Sequence, residues 1–382
     1  MPLMKILYDH QIFAQQSYGG ISRYFCELMN QFSKDPTMEL TLPLRYSTNI
    51  YLKTTEISKN YWFIRHNYPC LNRCVNLFQN NVRNSVTDFF LRNQKKSELM
   101  LKKQNFDIFH PTYYNPYFLK YLKTKPYVLT VYDMIHELCP DMFRGDTTAI
   151  QKKQVIEGAA KIMAISGNTK TDIIRFYDID PQKIEVIPLA TSLQLTKPDR
   201  NPYLPQKYIL FVGNRGVYKN FTFFINSISS FLHEEKDLCL VCAGGGVFTN
   251  DELRLLNNLG IRRKVFYYPV IDDSTLSQIY RKAILFAFPS LYEGFGIPVL
   301  EAFSCGCPVA ASNCSSFPEV GGDAVNYFDP KNSDSIQKVV EDIVHNDSLQ
   351  DTLRARGYER LKLFSWEKTA LNTKKVYNLL SQ

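Results

Sequence analysis

Short apolar runs separated by longer stretches of helical periodicity recur along both halves of the 382-residue chain. Near the N-terminus, KILYDHQIF predicts a strand, Gly19 and Gly20 lie in a polar loop, and ISRYFCELMNQFSK predicts an amphipathic helix. A strand, a glycine turn and a helix in this order are typical of the opening of a nucleotide-binding α/β domain. Further predicted strands of the first half are FDIFH (106–110), YVLTVYD (127–133), KIMAIS (161–166) and IEVIP (184–188), and GNTKTDIIRFY (167–177) predicts a helix between two of them.

The second half repeats this pattern after a proline-rich stretch. Residues 191–206 contain three prolines and no periodicity, which indicates a linker. YILFV then predicts a strand, GNRGVYKN a loop and FTFFINSISSFL a helix; the later predicted strands are LCLVCAGGG (238–246), KVFYYPV (264–270), AILFAFPS (283–290), PVAAS (308–312) and AVNYFD (324–329). Alternating strands and helices indicate parallel sheets covered on both faces. We therefore predict an N-terminal domain over 1–190, a linker over 191–206 and a C-terminal domain over 207–364, followed by an amphipathic helix in FSWEKTALNTKKVYNLL.

The composition is that of a globular protein, with 45% hydrophobic and 21% charged residues. MPLMKILYDH lacks the pattern of a secretory signal, and no run approaches the 18 apolar residues that a transmembrane helix requires, so we expect a cytoplasmic protein. The nine cysteines in a chain of this length predict reduced thiols. Cys239 and Cys242 form a CxxC, but inside a predicted buried strand, which favours structural thiols over a zinc or redox site.

The net charge of +8 is concentrated in the first half, and residues 59–103 carry nine basic residues against two acidic ones, interleaved with aromatic residues and leucines. Such a segment is typical of a face that lies on an anionic membrane, here the inner face of the cytoplasmic membrane. The alternative is a solvated helix face above an apolar stripe that packs on the domain. We expect no binding to nucleic acid, because no nucleic-acid-binding module accompanies the charge.

Two glutamates stand eight residues apart in LYEGFGIPVLEAF, directly after the apolar run AILFAFPS. Pro298 suits the first turn of a helix, so Glu293 is predicted in the preceding loop and Glu301 in the first turns of that helix. Gly294 and Gly296 allow the backbone to approach a ligand, and the helix N-terminus attracts negative charge. Because carboxylates accept hydrogen bonds from hydroxyl groups, the combination predicts a polyhydroxylated ligand with an anionic part. The alternative for each acid is a carboxylate that satisfies N–H groups at its own helix end.

Other candidate residues lie where predicted strands end. Arg215 and Lys219, in a strand-to-helix loop, can neutralise a diphosphate or can be ordinary surface cations. Gly19 and Gly20 can bring backbone N–H groups against a phosphate or can form a tight turn. The remaining candidates lie at the ends of other strands, at positions where α/β sheets bind ligands, and are His110, Asp133 and His136.

Several motifs together resemble one enzyme family, the retaining glycosyltransferases of family 4. They are GGI, RGVYKN, GCPVAAS, PEVGGDAV, FDP, FSWEKTA and above all the E-x7-E block EGFGIPVLE. The resemblance covers the whole chain and implies the GT-B fold, an α/β architecture of two Rossmann-like domains whose parallel sheets face each other across a cleft. Within the family the chain is most similar to bacterial mannosyltransferase-like members that build O-antigen, capsule or exopolysaccharide.

The resemblance implies a role for each matching position. Glu301 would accept hydrogen bonds from the donor ribose, and Glu293 would hold the transferred sugar. Arg215 and Lys219 would clamp the diphosphate, and the last helix, 365–382, would return to the first domain. The expected catalytic residues are Glu293, Arg215, Lys219, His110 and Asp133, and the expected donor-binding residues are Gly19, Gly20, Arg215, Lys219, Val270, Glu293, Phe295, Gly296, Ile297 and Glu301.

One departure from the family concerns Tyr132-Asp133, where many members have His-Asp. Tyr132 could replace that histidine, or His110 or His136 could approach the sugar from nearby positions. The resemblance implies neither a cofactor nor a metal. Asp178 and Asp180 form a DxD, but in a predicted turn.

We therefore predict a retaining hexosyltransferase. It would move mannose from GDP-mannose, or another hexose from a nucleoside diphosphate sugar, to a hydroxyl of a glycan or lipid-linked acceptor. Both a front-face route and a double displacement through Glu293 stay open at this point. The alternatives are a sugar-nucleotide epimerase on the same fold and a non-catalytic protein that binds sugar nucleotides.

Overall fold

The computed structural model describes residues 3–57, 62–63, 79–196, 203–270 and 272–381, with side chains for all of these except 54, 62–63 and 79–90. The chain divides into two compact units. The first comprises Met1–Ile165, Thr169–Pro188 and Trp366–Gln382, and the second comprises Ser166–Asn168 and Leu189–Ser365.

The first unit is built on parallel strands. They are β1 (Met4–Tyr8), β2 (Met38–Thr41), β3 (Tyr46–Ser47), β4 (Trp62–Phe63), β5 (Ile108–His110), β6 (Val128–Val131), β7 (Lys161–Ala164) and β8 (Ile184–Val186). One sheet has the order β2-β1-β5 and another the order β6-β7-β8; a parallel bridge between Phe109 and Tyr127 joins them, and β3 pairs with β4. The central strands are buried, as expected for a parallel sheet covered on both faces.

Helices surround this sheet. They are α1 (Gln11–Gln15), α2 (Gly20–Phe32), α3 (Gln79–Lys103), α4 (Leu119–Leu122), α5 (Ile135–Leu138), α6 (Thr148–Glu157) and α7 (Gly167–Tyr177). The predicted strand in KILYDHQIF stops at Tyr8, and its second half forms α1 instead. The reason is local: the Asp9 carboxylate accepts hydrogen bonds from the Gln11 backbone N–H (3.3 Å) and side chain (2.7 Å), which turns the chain out of the sheet.

The second unit has a six-stranded parallel sheet. Its strands are β9 (Lys207–Val212), β10 (Leu238–Ala243), β11 (Val265–Tyr268), β12 (Leu285–Phe288), β13 (Val309–Ser312) and β14 (Val325–Phe328). Its helices are α8 (Phe221–Glu234), α9 (Asn250–Asn258), α10 (Asp273–Lys282), α11 (Ile297–Ser304), α12 (Phe317–Gly321), α13 (Ser333–Val344) and α14 (Asp347–Leu361). The strand order β11-β10-β9-β12-β13-β14 is that of a Rossmann fold, in which the direction of strand addition reverses between β9 and β12.

The last helix, α15 (Trp366–Asn378), belongs to the first unit. Its Tyr377 is fully buried, and the tyrosine hydroxyl shares hydrogen bonds with His110 Nδ1 (2.7 Å) and the Tyr8 hydroxyl (3.3 Å). At the rim, Lys374 forms an ion pair of 2.5 Å with Asp35. These contacts anchor the C-terminal segment to the central strands of the first unit.

None of the helices in the described part of the chain combines the length with the hydrophobicity that a membrane span requires. The seven cysteines in this part of the chain are free thiols, including Cys239 and the buried Cys242 of the CxxC. Residues 59–61 and 64–78 of the basic segment 59–103 lie outside the described residues, and its side chains are described from residue 91 onward.

Candidate active site

The carboxyl ends of β9 and β12 lie side by side at the point where the strand order of the second unit reverses. The loops that follow these strands touch, because the Leu291 backbone N–H donates a hydrogen bond of 2.8 Å to the carbonyl oxygen of Tyr218. Ligands of α/β sheets bind in the crevice at this switch point. The two sequence motifs RGVYKN and EGFGIPVLE therefore meet at the position where a ligand site is expected.

Lys219 and Glu293 form an ion pair across these two loops. Their Nζ and Oε1 atoms are 2.5 Å apart, and the side chains are only 12% and 17% exposed. Lys219 ends a short 3₁₀ turn, Val217–Lys219, and its ammonium also lies 5.3 Å from the centre of the Phe288 ring. Although the two residues are 74 positions apart in sequence, the switch point brings one cation and one carboxylate together in a largely desolvated place.

The backbone of Glu293 is fixed by two serines that follow β13. Ser315 Oγ accepts a hydrogen bond from the Glu293 N–H (3.1 Å) and donates one to the Glu293 carbonyl (2.6 Å). The buried Ser316 hydroxyl lies within hydrogen-bond distance of the carbonyl oxygens of Glu293 (2.9 Å) and Phe295 (2.7 Å). Such bonds hold a functional side chain in one orientation.

Helix α11 begins where the sequence predicts. Gly296 precedes it with φ +105°, a left-handed conformation that favours glycine, and Pro298 lies in the first turn. Glu293 is in the loop and Glu301 is in the helix, which confirms the predicted placement of both. The Tyr280 hydroxyl donates a hydrogen bond of 3.1 Å to Glu301 Oε2. Phe295 is buried, whereas Ile297 is partly exposed at the start of the helix.

The structure places the side chain of Arg215 inside the second unit. The sequence predicts it as a diphosphate clamp, but its side chain is only 3% exposed and its guanidinium forms a two-pronged ion pair with Glu252, with Nε–Oε1 at 2.6 Å and Nη2–Oε2 at 3.3 Å. The same guanidinium donates to the carbonyl oxygens of Gly244, Gly246 and Val247. Arg215 thus points into the second unit, away from solvent. Val270, another predicted donor contact, follows β11 and is 37% exposed.

Gly19 and Gly20 lie in the first unit, at the start of α2. Gly19 has an extended backbone, and its carbonyl accepts hydrogen bonds from the Arg23 N–H and the Ser22 hydroxyl. The side chain of Gln16 occupies the space in which a Gly19 side chain would lie. A larger residue at position 19 would require the flexible Gln16 side chain to move.

His110, another candidate catalytic residue, lies in the core of the first unit. It is fully buried, and its two ring nitrogens share hydrogen bonds with Tyr377 and with the hydroxyl of Thr130 (2.9 Å). Burial lowers the pKa of His110 to about 3, because a charged imidazolium would be desolvated. The histidine therefore belongs to the core of the first unit.

Asp133 follows β6, and its side chain is 34% exposed. The fully buried Lys152 donates to the Asp133 carbonyl (2.9 Å) and to Glu137 Oε2 (2.9 Å), and so fixes this strand end. Tyr132 is itself buried, with its hydroxyl directed at the carbonyl of Thr112 at 3.5 Å. Tyr132 thus does not take the place of an exposed histidine.

His136, the other alternative, packs its ring against Phe143, with ring centres 4.1 Å apart, and lies 3.8 Å from the Asp146 carboxylate. Its side chain is 14% exposed. In the predicted DxD, Asp180 caps a 3₁₀ turn by accepting the Gln182 N–H, as a structural turn residue does.

Comparisons with known proteins agree with this geometry. Residues 73–195 match the family model described as Glycosyltransferase Family 4, and residues 194–360 match the one described as Glycosyl transferases group 1. The chain is 31% identical over 288 residues to O-antigen chain mannosyltransferase B of Escherichia coli, covering 72% of this chain and 74% of that protein. The chain belongs to glycosyltransferase family 4.

Solved structures show the fold of this glycosyltransferase. Sucrose-phosphate synthase from Thermosynechococcus elongatus is similar with a TM-score of 0.73 at 18% identity, covering 99% of each chain. Anabaena HepE, solved in complex with UDP and glucose, is similar with a TM-score of 0.69 at 14% identity, covering 98% of this chain and 99% of that one. The predictions of the GT-B fold, of family 4 and of a glycosyltransferase activity are confirmed, so the epimerase and the non-catalytic alternatives are set aside.

Sequence reasoning missed four residues that shape the sites of the glycosyltransferase: Ser315, Ser316, Glu252 and Lys152. The two serines follow β13, a strand next to β12, so the criterion of strand ends could have found them. Glu252 and Lys152 lie inside helices, where an acid or a lysine is ordinarily a solvated surface residue. Their roles become apparent only from the tertiary contacts, of Glu252 with Arg215 and of Lys152 with Asp133.

Proposed function

We propose that this glycosyltransferase transfers a hexose from a nucleoside diphosphate sugar to an acceptor hydroxyl with retention of the anomeric configuration. The observation that supports this most is the Lys219–Glu293 pair at the switch point of the second unit. A cation suits the diphosphate, and a carboxylate suits sugar hydroxyls. Glu301, with its carboxylate oriented by Tyr280, suits the ribose hydroxyls.

The chemistry requires stabilisation of charge. As the bond from the anomeric carbon to the diphosphate breaks, positive charge develops on the sugar ring and negative charge on the leaving oxygen. Lys219 and the N–H groups at the start of α11 would stabilise the leaving group, and the Glu293 carboxylate would hold the sugar and stabilise the positive ring. In the front-face route, the leaving oxygen accepts the proton of the acceptor hydroxyl while that hydroxyl oxygen bonds to the anomeric carbon from the same face. No protein base and no covalent intermediate are then needed.

We propose mannose as the sugar, GDP-mannose as the donor and a glycan or lipid-linked acceptor of cell-surface polysaccharide synthesis. The support is the 31% identity to a protein named as an O-antigen chain mannosyltransferase. We also propose that transfer requires neither a metal nor another cofactor, since Lys219 and the helix start supply positive charge for the diphosphate. Addition of EDTA should leave the rate unchanged, whereas restoration of a lost rate by Mg²⁺ or Mn²⁺ would contradict this.

A membrane surface is the proposed place of action. The described end of helix α3 supports it: Asn93, Ser97 and Leu101 face the unit, while the opposite side exposes Leu91, Leu99 and several cations. The exposed cations are Arg92, Lys95, Lys102 and Lys103. Flotation with liposomes that contain anionic lipid at low salt should carry the protein upward, and a protein that stays at the bottom contradicts the proposal.

The activity is tested in two steps. Thermal shift with GDP, UDP, dTDP and ADP sugars should identify one nucleotide that raises Tm, and donor hydrolysis or transfer should then be measured with the best of them. NMR of the product should show the anomeric configuration of the donor. Stabilisation by none of these nucleotides would refute the proposed donor class, and an inverted product would refute retention.

A further inference from the structure

Arg215 is held by protein atoms on all sides of its guanidinium. Its Nε, Nη1 and Nη2 atoms take part in five hydrogen bonds, two to the Glu252 carboxylate and one each to the carbonyls of Gly244, Gly246 and Val247. The guanidinium carbon also lies 4.8 Å from the centre of the Phe248 ring. A guanidinium offers five N–H donors in a rigid plane. Nη2 shares its two N–H groups among three acceptors, and Nε and Nη1 make one bond each, so every nitrogen of the guanidinium is bonded to the protein.

The turn above Arg215 has an unusual backbone. Gly244, Gly245 and Gly246 have φ values of +80°, +71° and +80°, three consecutive left-handed residues that only glycine adopts readily. A Cβ atom at Gly245 would lie 2.5 Å from the carbonyl oxygen of Gly213, the residue that follows β9. The turn is therefore pressed against the β9 loop, at the same edge of the sheet as the Lys219–Glu293 pair.

The glycine turn is exposed to solvent, whereas the arginine beneath it is buried. Gly245, Gly246 and Val247 are exposed, whereas the Arg215 side chain is 3% exposed, against 12% for Lys219. A ligand at this edge would thus meet the glycine backbone and not the guanidinium.

Glu252 connects the turn to helix α9. Its side chain completes a capping box by accepting the Thr249 N–H at 2.6 Å, while the Thr249 hydroxyl accepts the Glu252 N–H. The same carboxylate receives the two bonds from Arg215. One acid therefore ties the start of α9, the guanidinium and, through it, three carbonyls of the glycine turn into one unit.

We propose that Arg215 and Glu252 are positioning residues that hold the Gly244–Val247 turn as a wall of the donor site, and that Arg215 makes no contact with the donor phosphates. This inference rests on the proposed function, since it takes a nucleoside diphosphate as the ligand. Lys219 then binds the negatively charged phosphates, and the role of Arg215 does not depend on them. The two roles predict different losses along a series of ligands that differ only in phosphate number.

The test measures dissociation constants of guanosine, GMP and GDP, and in parallel of uridine, UMP and UDP, for the full-length protein. Arg215→Ala should weaken the nucleoside, the monophosphate and the diphosphate by the same factor, about tenfold to a hundredfold, the size expected when a binding wall is misplaced. Glu252→Ala should reproduce this uniform loss with Arg215 still present, and the double variant should lose no more than either single variant. Lys219→Met should instead weaken the diphosphate much more than the nucleoside.

Conservative and control variants complete the design. Arg215→Lys keeps the charge but loses the two-pronged bond, so it should bind the six ligands as weakly as Arg215→Ala. If Arg215→Ala does not fold, Glu252→Ala provides the same test. Arg254→Ala removes another Arg–acid pair of the same helix, whose side chains are 75% and 83% exposed, and should leave all six constants unchanged.

Four results would contradict the inference or its basis. If Arg215→Ala weakens GDP or UDP selectively and spares the nucleoside, or if Arg215→Lys retains diphosphate binding, then Arg215 contacts phosphate and the inference is wrong while the proposed function stands. If Glu252→Ala binds all ligands normally, the coupling through the turn is absent. If the unaltered protein binds neither GDP nor UDP, the proposed donor class fails and the inference falls with it.

Discussion

The ion pair between Lys219 and Glu293 offers a direct measurement of how the unliganded site is stabilised. We consider a double-mutant cycle of Lys219→Met, Glu293→Gln and the double variant, which removes the charges but keeps much of the side-chain volume. At the observed 2.5 Å, Coulomb's law with an effective dielectric constant of about 20 gives a gross attraction of about 7 kcal/mol. Desolvation of the two ions offsets most of it, because each loses several kcal/mol of hydration on burial.

We therefore expect a net coupling free energy of about 1 to 3 kcal/mol in the free energy of unfolding. Each single variant should lower the free energy of unfolding, because it leaves one largely buried charge without its oppositely charged partner. The loss in the double variant should therefore be smaller than the sum of the two single losses. Urea or guanidinium unfolding, followed by far-UV circular dichroism, measures the four stabilities. Additivity within about 0.5 kcal/mol would refute the pairing.

A matched control pair lies at the C-terminal end of helix α14. Lys362 and Glu359 also form a Lys–Glu pair, at 2.7 Å, but their side chains are 68% and 71% exposed. The corresponding cycle of Lys362→Met and Glu359→Gln should give a coupling below about 0.5 kcal/mol. In turnover, by contrast, Lys219→Met and Glu293→Gln should each lower kcat by about a hundredfold or more, the size of loss known for removed charge-stabilising groups, while the control pair leaves kcat unchanged.

Three further predictions concern buried hydroxyls and one histidine. Tyr280→Phe removes the hydrogen bond to Glu301, so it should cost about 1 kcal/mol of stability and raise KM for the donor. The control Tyr208→Phe removes a buried hydrogen bond to the backbone and should cost stability without a change in KM. Equal KM values for the two variants would contradict the role of Tyr280. Tyr377→Phe should lower stability by about 1 to 3 kcal/mol, because His110 loses a buried partner, and unfolding curves check this. Burial lowers the pKa of His110 to about 3, against about 6.5 in the unfolded chain, so the stability that depends on the neutral imidazole is complete above about pH 6.5. It falls by up to about 1.4 kcal/mol for each pH unit below that value. His110→Gln should flatten the pH dependence of the unfolding free energy measured from pH 7 to 4.5, and an unchanged slope would contradict this.

The sequence allows the sheet architecture to be predicted because local signals agree with the global fold. In the second unit every strand of the Rossmann order has its own apolar run, and the glycine-containing turns after β9 and before α11 lie where they are expected. The placement of Glu293 in a loop and of Glu301 in a helix follows from Pro298 and the apolar periodicity alone. The short strand β2 (Met38–Thr41) escapes prediction, because MELT has too few apolar residues to mark a strand.

The directions of individual side chains could not be predicted in the same way. A cation in a strand-to-helix loop can point outward or inward, and Arg215 points inward because Glu252, 37 residues later, accepts it. His110 does end a strand, as predicted, but Tyr377, 267 residues later, fills the space in front of it. Local sequence contains neither partner, so the sequence pattern alone predicts both residues as site residues.

The pairing of charges in the second unit has a consequence for how a donor would enter. Lys219 is neutralised by Glu293 and Arg215 by Glu252, so the four side chains together present no net charge to a diphosphate. A diphosphate bound to Lys219 would compete with Glu293 for the ammonium, and the carboxylate would then be available to the hydroxyls of the sugar. We therefore expect the stability coupling between Lys219 and Glu293 to shrink when the cycle is repeated in saturating GDP or UDP. A coupling that stays the same with nucleotide bound would show that the pair remains intact and that the diphosphate is held elsewhere.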